Sequence, residues 1–155
     1  MKSKEDSAHI LAAPPFFFII PLLIGVVLEY FIPTKIFSII ASIIIGLIFS
    51  WASLPFFILS LKSFFKAKTT FDARNSTTSL VTTGIYKISR NPAYLSLVLL
   101  YIGISFLINS IWILILVVPA FYSIQKFCIE REEKYLEGKF GDKYLAYKKQ
   151  VRRWI

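Results

Sequence analysis

Residues 80–94 read LVTTGIYKISRNPAY, a polar, turn-rich stretch between two long apolar blocks. Gly84 permits a turn, Tyr86 and Tyr94 add aromatic faces with hydroxyls, and Lys87 and Arg90 add charge. Asn91-Pro92 has the form of a helix start, an N-cap residue followed by proline at the first helical position. Apolar sequence runs from Pro92 to Ile108 after it and from Ile36 to Leu61 before it. The stretch therefore reads as a connection between membrane-crossing blocks, and the fold class turns on that reading.

Composition agrees. Of 155 residues, 56% are hydrophobic, and the mean hydropathy is +0.65. At about 20 residues per crossing of a ~30 Å hydrocarbon core, the chain is expected to be an all-α, polytopic membrane protein. It forms one domain, 1–155, with spans at about 15–32, 36–61, 92–108 and 111–127 and a short cytosolic helical cap at 128–155. Pro33–Lys35 and Asn109-Ser110 leave room only for tight turns, so the four spans pair into two helical hairpins. A membrane span can tolerate Pro21, and Pro55 is the natural place for a kink in the long second block. LEYFIPTK, after the first block, has no small-x-small cleavage site, so that block is expected to be retained. Met1–Ala13 reads as a mobile or interfacial arm. Lys62–Ser79, with Phe64, Phe65 and Phe71 among lysines, reads as a stretch lying on the membrane surface.

The net charge is +9. Because the basic residues sit beside apolar spans and no soluble basic fold is available, headgroup contact is expected and nucleic-acid binding is not. Six Lys/Arg lie between Lys62 and Arg90 and nine between Lys126 and Arg153, against Lys35 alone on the opposite side. The positive-inside rule then places both termini and the polar stretches in the cytosol. A single cysteine, Cys128, leaves no intramolecular disulfide and no thiolate zinc cluster. No metal is expected, and the oligomeric state is not legible.

In the tail, Leu136, Phe140, Tyr144 and Tyr147 recur at helical spacing, while Gly138 and Gly141 suggest two short helices with a bend. Trp154 beside Arg152 and Arg153 suits an interfacial anchor. Since the third and fourth spans form a hairpin, Pro92 and Phe127 must be neighbours. Arg90, Asn91 and Tyr94 then come close to Glu132 and Glu133. A structural reading stays open, in which Asn91-Pro92 only caps a helix and Glu130–Glu133 form ordinary i, i+4 pairs. Glu29, ionisable within an apolar block, lies near the outer end of its span and is read as interfacial. His9 is read as non-catalytic and Cys128 as a small apolar filler.

The ordered set GIYKISRNPAYL, a helical hairpin, then REEKYLEGKFGDKYLAYKKQVRRW resembles the isoprenylcysteine carboxyl methyltransferase family and is similar to the related phospholipid N-methyltransferases. The resemblance runs from about Ser79 to the C-terminus. It implies S-adenosyl-L-methionine bound at the cytosolic face and a lipophilic acceptor taken from the bilayer. By resemblance, Thr78, Ser79, Leu80 and Val81 fall in the cofactor-binding segment. Tyr86, Asn91, Pro92, Ala93 and Tyr94 match further cofactor contacts, and Glu132, with Glu133 beside it, matches the acidic one. Arg90, Asn91 and Tyr94 are the candidate catalytic residues. Asn91 and Thr78 stand where the family has histidines. Cys128 stands where a basic residue is implied to hold the acceptor, and Arg131 is the candidate replacement.

The absent histidines bear on the acceptor. Methylating an amine requires a proton to leave, which a group titrating near neutrality would assist. A carboxylate needs only positioning and desolvation. A carboxylate acceptor is therefore favoured over a phospholipid amine, which stays open. Two rival readings are an NADPH-dependent enzyme of the sterol reductase type, for which no basic 2′-phosphate site is evident, and a scaffold without enzymatic activity.

Overall fold

The computed structural model describes residues 13–69 and 77–155. His9, the arm before Ala13, and the part of the surface stretch that contains Phe71 lie outside the described residues. The described residues form helices and connections, with no strand among them. The helices are α1 (Phe16–Phe31), α2 (Ile39–Lys66), α3 (Pro92–Ile108), α4 (Ile111–Ile115), α5 (Val117–Ile124), α6 (Glu130–Phe140) and α7 (Asp142–Gln150).

Boundaries follow local chemistry. Proline stands at the first position of α3, where its missing N–H costs nothing. Helix α3 ends at Asn109, whose φ of 60° is left-handed, a conformation asparagine accepts more readily than most residues. Pro119 cannot donate to the preceding turn, and the helical path loosens at Leu116, between α4 and α5. A π-helical turn, Gln125–Ile129, joins α5 to α6.

The helix that carries the expected fourth span continues from Ile111 to Phe140, so the expected cap begins as an extension of that helix. Two expectations need correction. Residues 62–66 do not lie flat on a surface, because they are the last turns of α2. There Phe64 packs edge-on against Tyr86, centroids 5.6 Å apart. In the tail only Gly141 breaks the helix, while Gly138 lies inside α6.

Helices α2 and α3 pack closely along much of their length. Small residues permit it: Ser42, Gly46, Ser53 and Ser60 are buried on α2, and Ser96, Gly103 and Ser105 on α3. A Cβ on Gly103 would stand 2.9 Å from the Ser50 nitrogen and 3.0 Å from the Gly46 carbonyl oxygen. Without an apolar driving force between helices in lipid, such backbone approach is a main source of association.

Polar side chains fasten the helix turns at the end of the bundle away from the 77–94 connection. Asn109 Oδ1 accepts from the Ile36 and Phe37 amides (2.9 and 3.2 Å) and from Ser42 Oγ (2.7 Å). The Glu29 carboxylate accepts from the Thr34 amide and hydroxyl (2.6 and 2.7 Å) and from Ser110. Glu29 is thus a half-buried clasp between turns.

Large apolar side chains such as Ile20, Leu23, Ile40, Ile48 and Trp51 are exposed along α1 and α2. That pattern suits hydrocarbon and would be a liability in water. Two helical stretches, Ile39–Lys66 and Ile111–Phe140, are long and apolar enough to cross a membrane; α1 and α3 are shorter. Two clusters of buried side chains result. One joins Phe18, Tyr94, Tyr101, Ile113 and Ile124 within the helices. The other joins Val81, Tyr86, Tyr144, Tyr147 and Val151 beneath the tail.

Gly103→Val should destabilise the fold by roughly 1–3 kcal/mol, since the backbone atoms it meets cannot swing away. Gly138→Ala, with open space around it, should be neutral or stabilising by up to about 1 kcal/mol. Unfolding of the full chain in mixed micelles reads both, and equal losses would contradict the packing described.

Candidate functional site

Where the two buried clusters meet, a cavity of about 290 Å³ opens between the 77–94 connection, the ends of α2 and α3, and helices α6 and α7. Its walls are mostly apolar and aromatic, including Phe57, Phe64, Tyr86, Leu97, Tyr144 and Tyr147. The charged groups among its described lining are Arg90, Glu132 and Glu133. The cavity therefore joins the connection to the acidic turn, as hairpin geometry requires.

An ion triad makes the joint. Arg90 Nη1 lies 3.1 Å from Glu133 Oε1, and the two side chains are only 9% and 8% exposed. Arg153 donates to both oxygens of the same carboxylate, Nε at 3.1 Å and Nη2 at 2.7 Å. Burial at this level disfavours an unpaired charge, so the triad holds only while its members stay together. The Glu133 hydrogen bonds raise the Arg153 pKa above its ordinary value.

The last residues of the chain reinforce this joint from the backbone side. The Arg90 amide donates to the Arg152 carbonyl (3.0 Å), and Asn91 Nδ2 and the Ser89 hydroxyl donate to the Arg153 carbonyl (3.0 and 3.3 Å). Asn91 occupies the N-cap position of α3, but its side chain makes no capping bond because it is turned to Arg153. Trp154 stacks on Phe121, centroids 4.7 Å apart, and donates to Gln125 Oε1. It packs on α5 and pins the C-terminal segment.

Hydroxyls fix the remaining wall. Tyr94 donates to Glu132 Oε2 at 2.9 Å. Tyr147 donates to the Tyr86 carbonyl at 2.6 Å, and Gly84, at φ +66°, turns the chain into the 3₁₀ segment that carries Tyr86. Burial and the nearby Glu132 charge push the Tyr86 phenol well above its usual range. Burial, then Glu133, pushes Tyr144 up to about 12. These phenols are neutral hydrogen-bonding groups at physiological pH.

Among the residues singled out from sequence, Ser79, Leu80, Val81, Tyr86, Arg90, Asn91, Ala93, Tyr94, Glu132 and Glu133 line the cavity. Thr78 is exposed beside it, its hydroxyl donating to the Lys68 carbonyl, and Pro92 is fully buried behind the wall. Cys128 is buried in the helical core, and Arg131 is not among the lining residues. Sequence reasoning did not assign Phe57, Phe64, Thr77, Leu97, Tyr144, Tyr147 or Arg153 to the site. Tyr144 and Tyr147 carried a visible signal in their helical spacing, which by itself points only to an apolar face. Arg153 carried none, because its partner is twenty residues away across a break.

A family model described as phospholipid methyltransferase matches residues 35–143, taking in α2 as well as the connection and the acidic turn. An uncharacterized protein of Haemophilus influenzae is 42% identical over 62 residues, which are 40% of this chain and 98% of that protein. No solved structure matches.

Glu133→Ala should cost roughly 3–5 kcal/mol, since it strands Arg90 in a buried setting. Arg153→Ala should cost less, about 1 kcal/mol, because Arg153 is partly solvated. Thermal unfolding separates the two, and the reverse order would contradict the triad. Tyr144 has a folded pKa raised above its unfolded value near 10. Its contribution is therefore complete below about pH 10 and is lost as pH rises toward 12. Tyr144→Phe should flatten that alkaline decline in an unfolding series.

Proposed function

The chain belongs to the phospholipid methyltransferase family and so is a membrane methyltransferase, and from that premise we propose that it transfers a methyl group from S-adenosyl-L-methionine to a lipophilic carboxylate, as isoprenylcysteine carboxyl methyltransferases do. The four-span topology with both termini in the cytosol belongs to the same proposal. Helices α1 and α3, 16 and 17 residues long, span about 24 and 26 Å. Such a shortfall against a bilayer core of about 30 Å is met by local thinning or by flanking residues.

One observation carries the reading. Two segments far apart in sequence, both within the family match, meet around one cavity whose chemistry suits a sulfonium-bearing amino acid. Aromatic faces of Tyr86, Tyr94, Phe64 and Tyr144 suit a sulfonium cation. The Glu132 carboxylate, oriented by Tyr94, suits an ammonium or ribose hydroxyls. Held by Tyr94 and Glu132, the methyl donor would supply an electrophilic methyl group to the acceptor oxygen, its sulfonium becoming a neutral thioether.

The chain's own residues position and desolvate. Tyr94 and Glu132 hold the donor end, Tyr86 and Tyr147 shape the aromatic wall, and the apolar residues Phe57 and Leu97 face the acceptor's hydrocarbon and exclude water. No lining residue among those described is a histidine, and the lining phenols stay protonated. An acceptor that surrenders no proton therefore suits the cavity best. The family description favours a second reading, a phospholipid amine acceptor, in which Glu132 would take the proton. An NADPH-dependent reaction has less support, because the described lining holds one basic residue, Arg90, beside two carboxylates, and offers no further cation for a 2′-phosphate.

Calorimetry of the purified full chain should give heat with S-adenosyl-L-methionine and none with NADPH. Tyr94→Phe should weaken donor binding about 10-fold and Glu132→Ala by more. Labelled methyl transfer to membrane extract should give a base-labile product; a base-stable one would select the amine reading. Folded protein that gives no heat with the donor would sink the proposal.

A further inference from the structure

We infer that Arg90 is the anion-binding residue of the cavity, its Nε–H presented to an oxyanion of a bound substrate. The inference rests on the methyl-donor reading above. The donor's α-carboxylate is the first source of that oxyanion, and the acceptor's carboxylate is the second source of the same chemistry.

Arg90 lines the cavity, and its side chain is more than nine-tenths buried. Its Nη1 is engaged by Glu133 Oε1 at 3.1 Å and by the Tyr144 hydroxyl at 3.5 Å. Its backbone amide is engaged by the Arg152 carbonyl. Its Nε–H is buried and has no acceptor among the described residues. A buried donor on a charged group is costly to leave unmatched, and an oxyanion there gains a short charge-assisted bond.

Glu133 cannot serve this edge by turning, because both of its oxygens are held by Arg153. The locking of the connection onto α6 uses only Nη1, which a lysine ammonium would imitate. The Nε edge is the part of the guanidinium that the lock leaves over, and planar, multi-donor recognition of carboxylates is what distinguishes arginine from lysine. Charge points the same way: Arg90 and Arg153 set two cations against the single Glu133 carboxylate. Glu132 lines the same cavity and offers the opposite pole. A zwitterionic amino-acid end finds both there.

The test compares ligands that differ only in the oxyanion. Binding of S-adenosyl-L-methionine and of its decarboxylated form is measured by calorimetry on the full chain, wild type and Arg90→Lys. A second pair is an S-prenylated cysteine with a free carboxylate and the corresponding amide. If the donor supplies the oxyanion, the decarboxylated form binds the wild type roughly 10- to 100-fold more weakly, and Arg90→Lys narrows that ratio to near one. If the acceptor supplies it, the carboxylate and amide differ in that way and the two donor forms bind alike. Should Arg90→Lys fail to fold, the wild-type ratios alone decide. Donor binding with neither ratio above about twofold overturns the inference and leaves the methyl-donor reading standing. Folded wild type that binds neither donor form overturns that reading and the inference with it.

Discussion

A single carboxylate, Glu133, holds two arginines from well-separated parts of the sequence, and it closes the joint on which the cavity rests. Arg90 belongs to the connection before α3 and Arg153 to the last residues after α7, and both reach Glu133 on α6. A nearly buried ion pair tolerates little displacement, since losing one member leaves the other as an uncompensated charge. The triad therefore fixes the connection, α6 and the C-terminal segment relative to one another. Hydrogen bonds from Arg90, Asn91 and Ser89 to the carbonyls of Arg152 and Arg153 repeat the fixation along the backbone.

That joint would be ineffective on a loose frame. At the far end, Asn109 and Glu29 tie the two hairpin turns together, and between the ends small residues let α2 and α3 approach at backbone distance. The π-helical turn at Gln125–Ile129 inserts an extra residue into the path between α5 and α6. Such turns shift which face the following residues present and are frequent near functional sites. Here the turn precedes the two glutamates that meet the connection.

Much of this was legible in the residues. The apolar blocks, the two tight turns and the neighbourhood of Arg90, Tyr94 and the acidic pair follow from hydropathy and connectivity alone. The Arg90–Glu133 contact and the Tyr94–Glu132 bond fall where hairpin connectivity puts them. Asn91 was legible only in part: position marks it as an N-cap, but the Arg153 carbonyl, invisible to local pattern, captures its side chain. That the helix of the fourth block runs on to Phe140 was not legible, because hydropathy falls after Phe127 while the helical path does not stop there. Tyr144 and Tyr147 showed their period but not their destination, which depends on how the break at Gly141 folds α7 back over the connection. The serine and glycine stripe between α2 and α3 was hidden by the bulk of the apolar residues around it.

Hydrogen–deuterium exchange of the full chain in lipid nanodiscs, with and without saturating S-adenosyl-L-methionine, tests most directly whether the connection and the acidic turn are two walls of one donor site. Amides of residues 79–94 and 130–147 should slow together on adding the donor, while the far-end turns at 29–38 and 105–113 stay as they were. Protection confined to one segment, or appearing at the far end, would contradict the account.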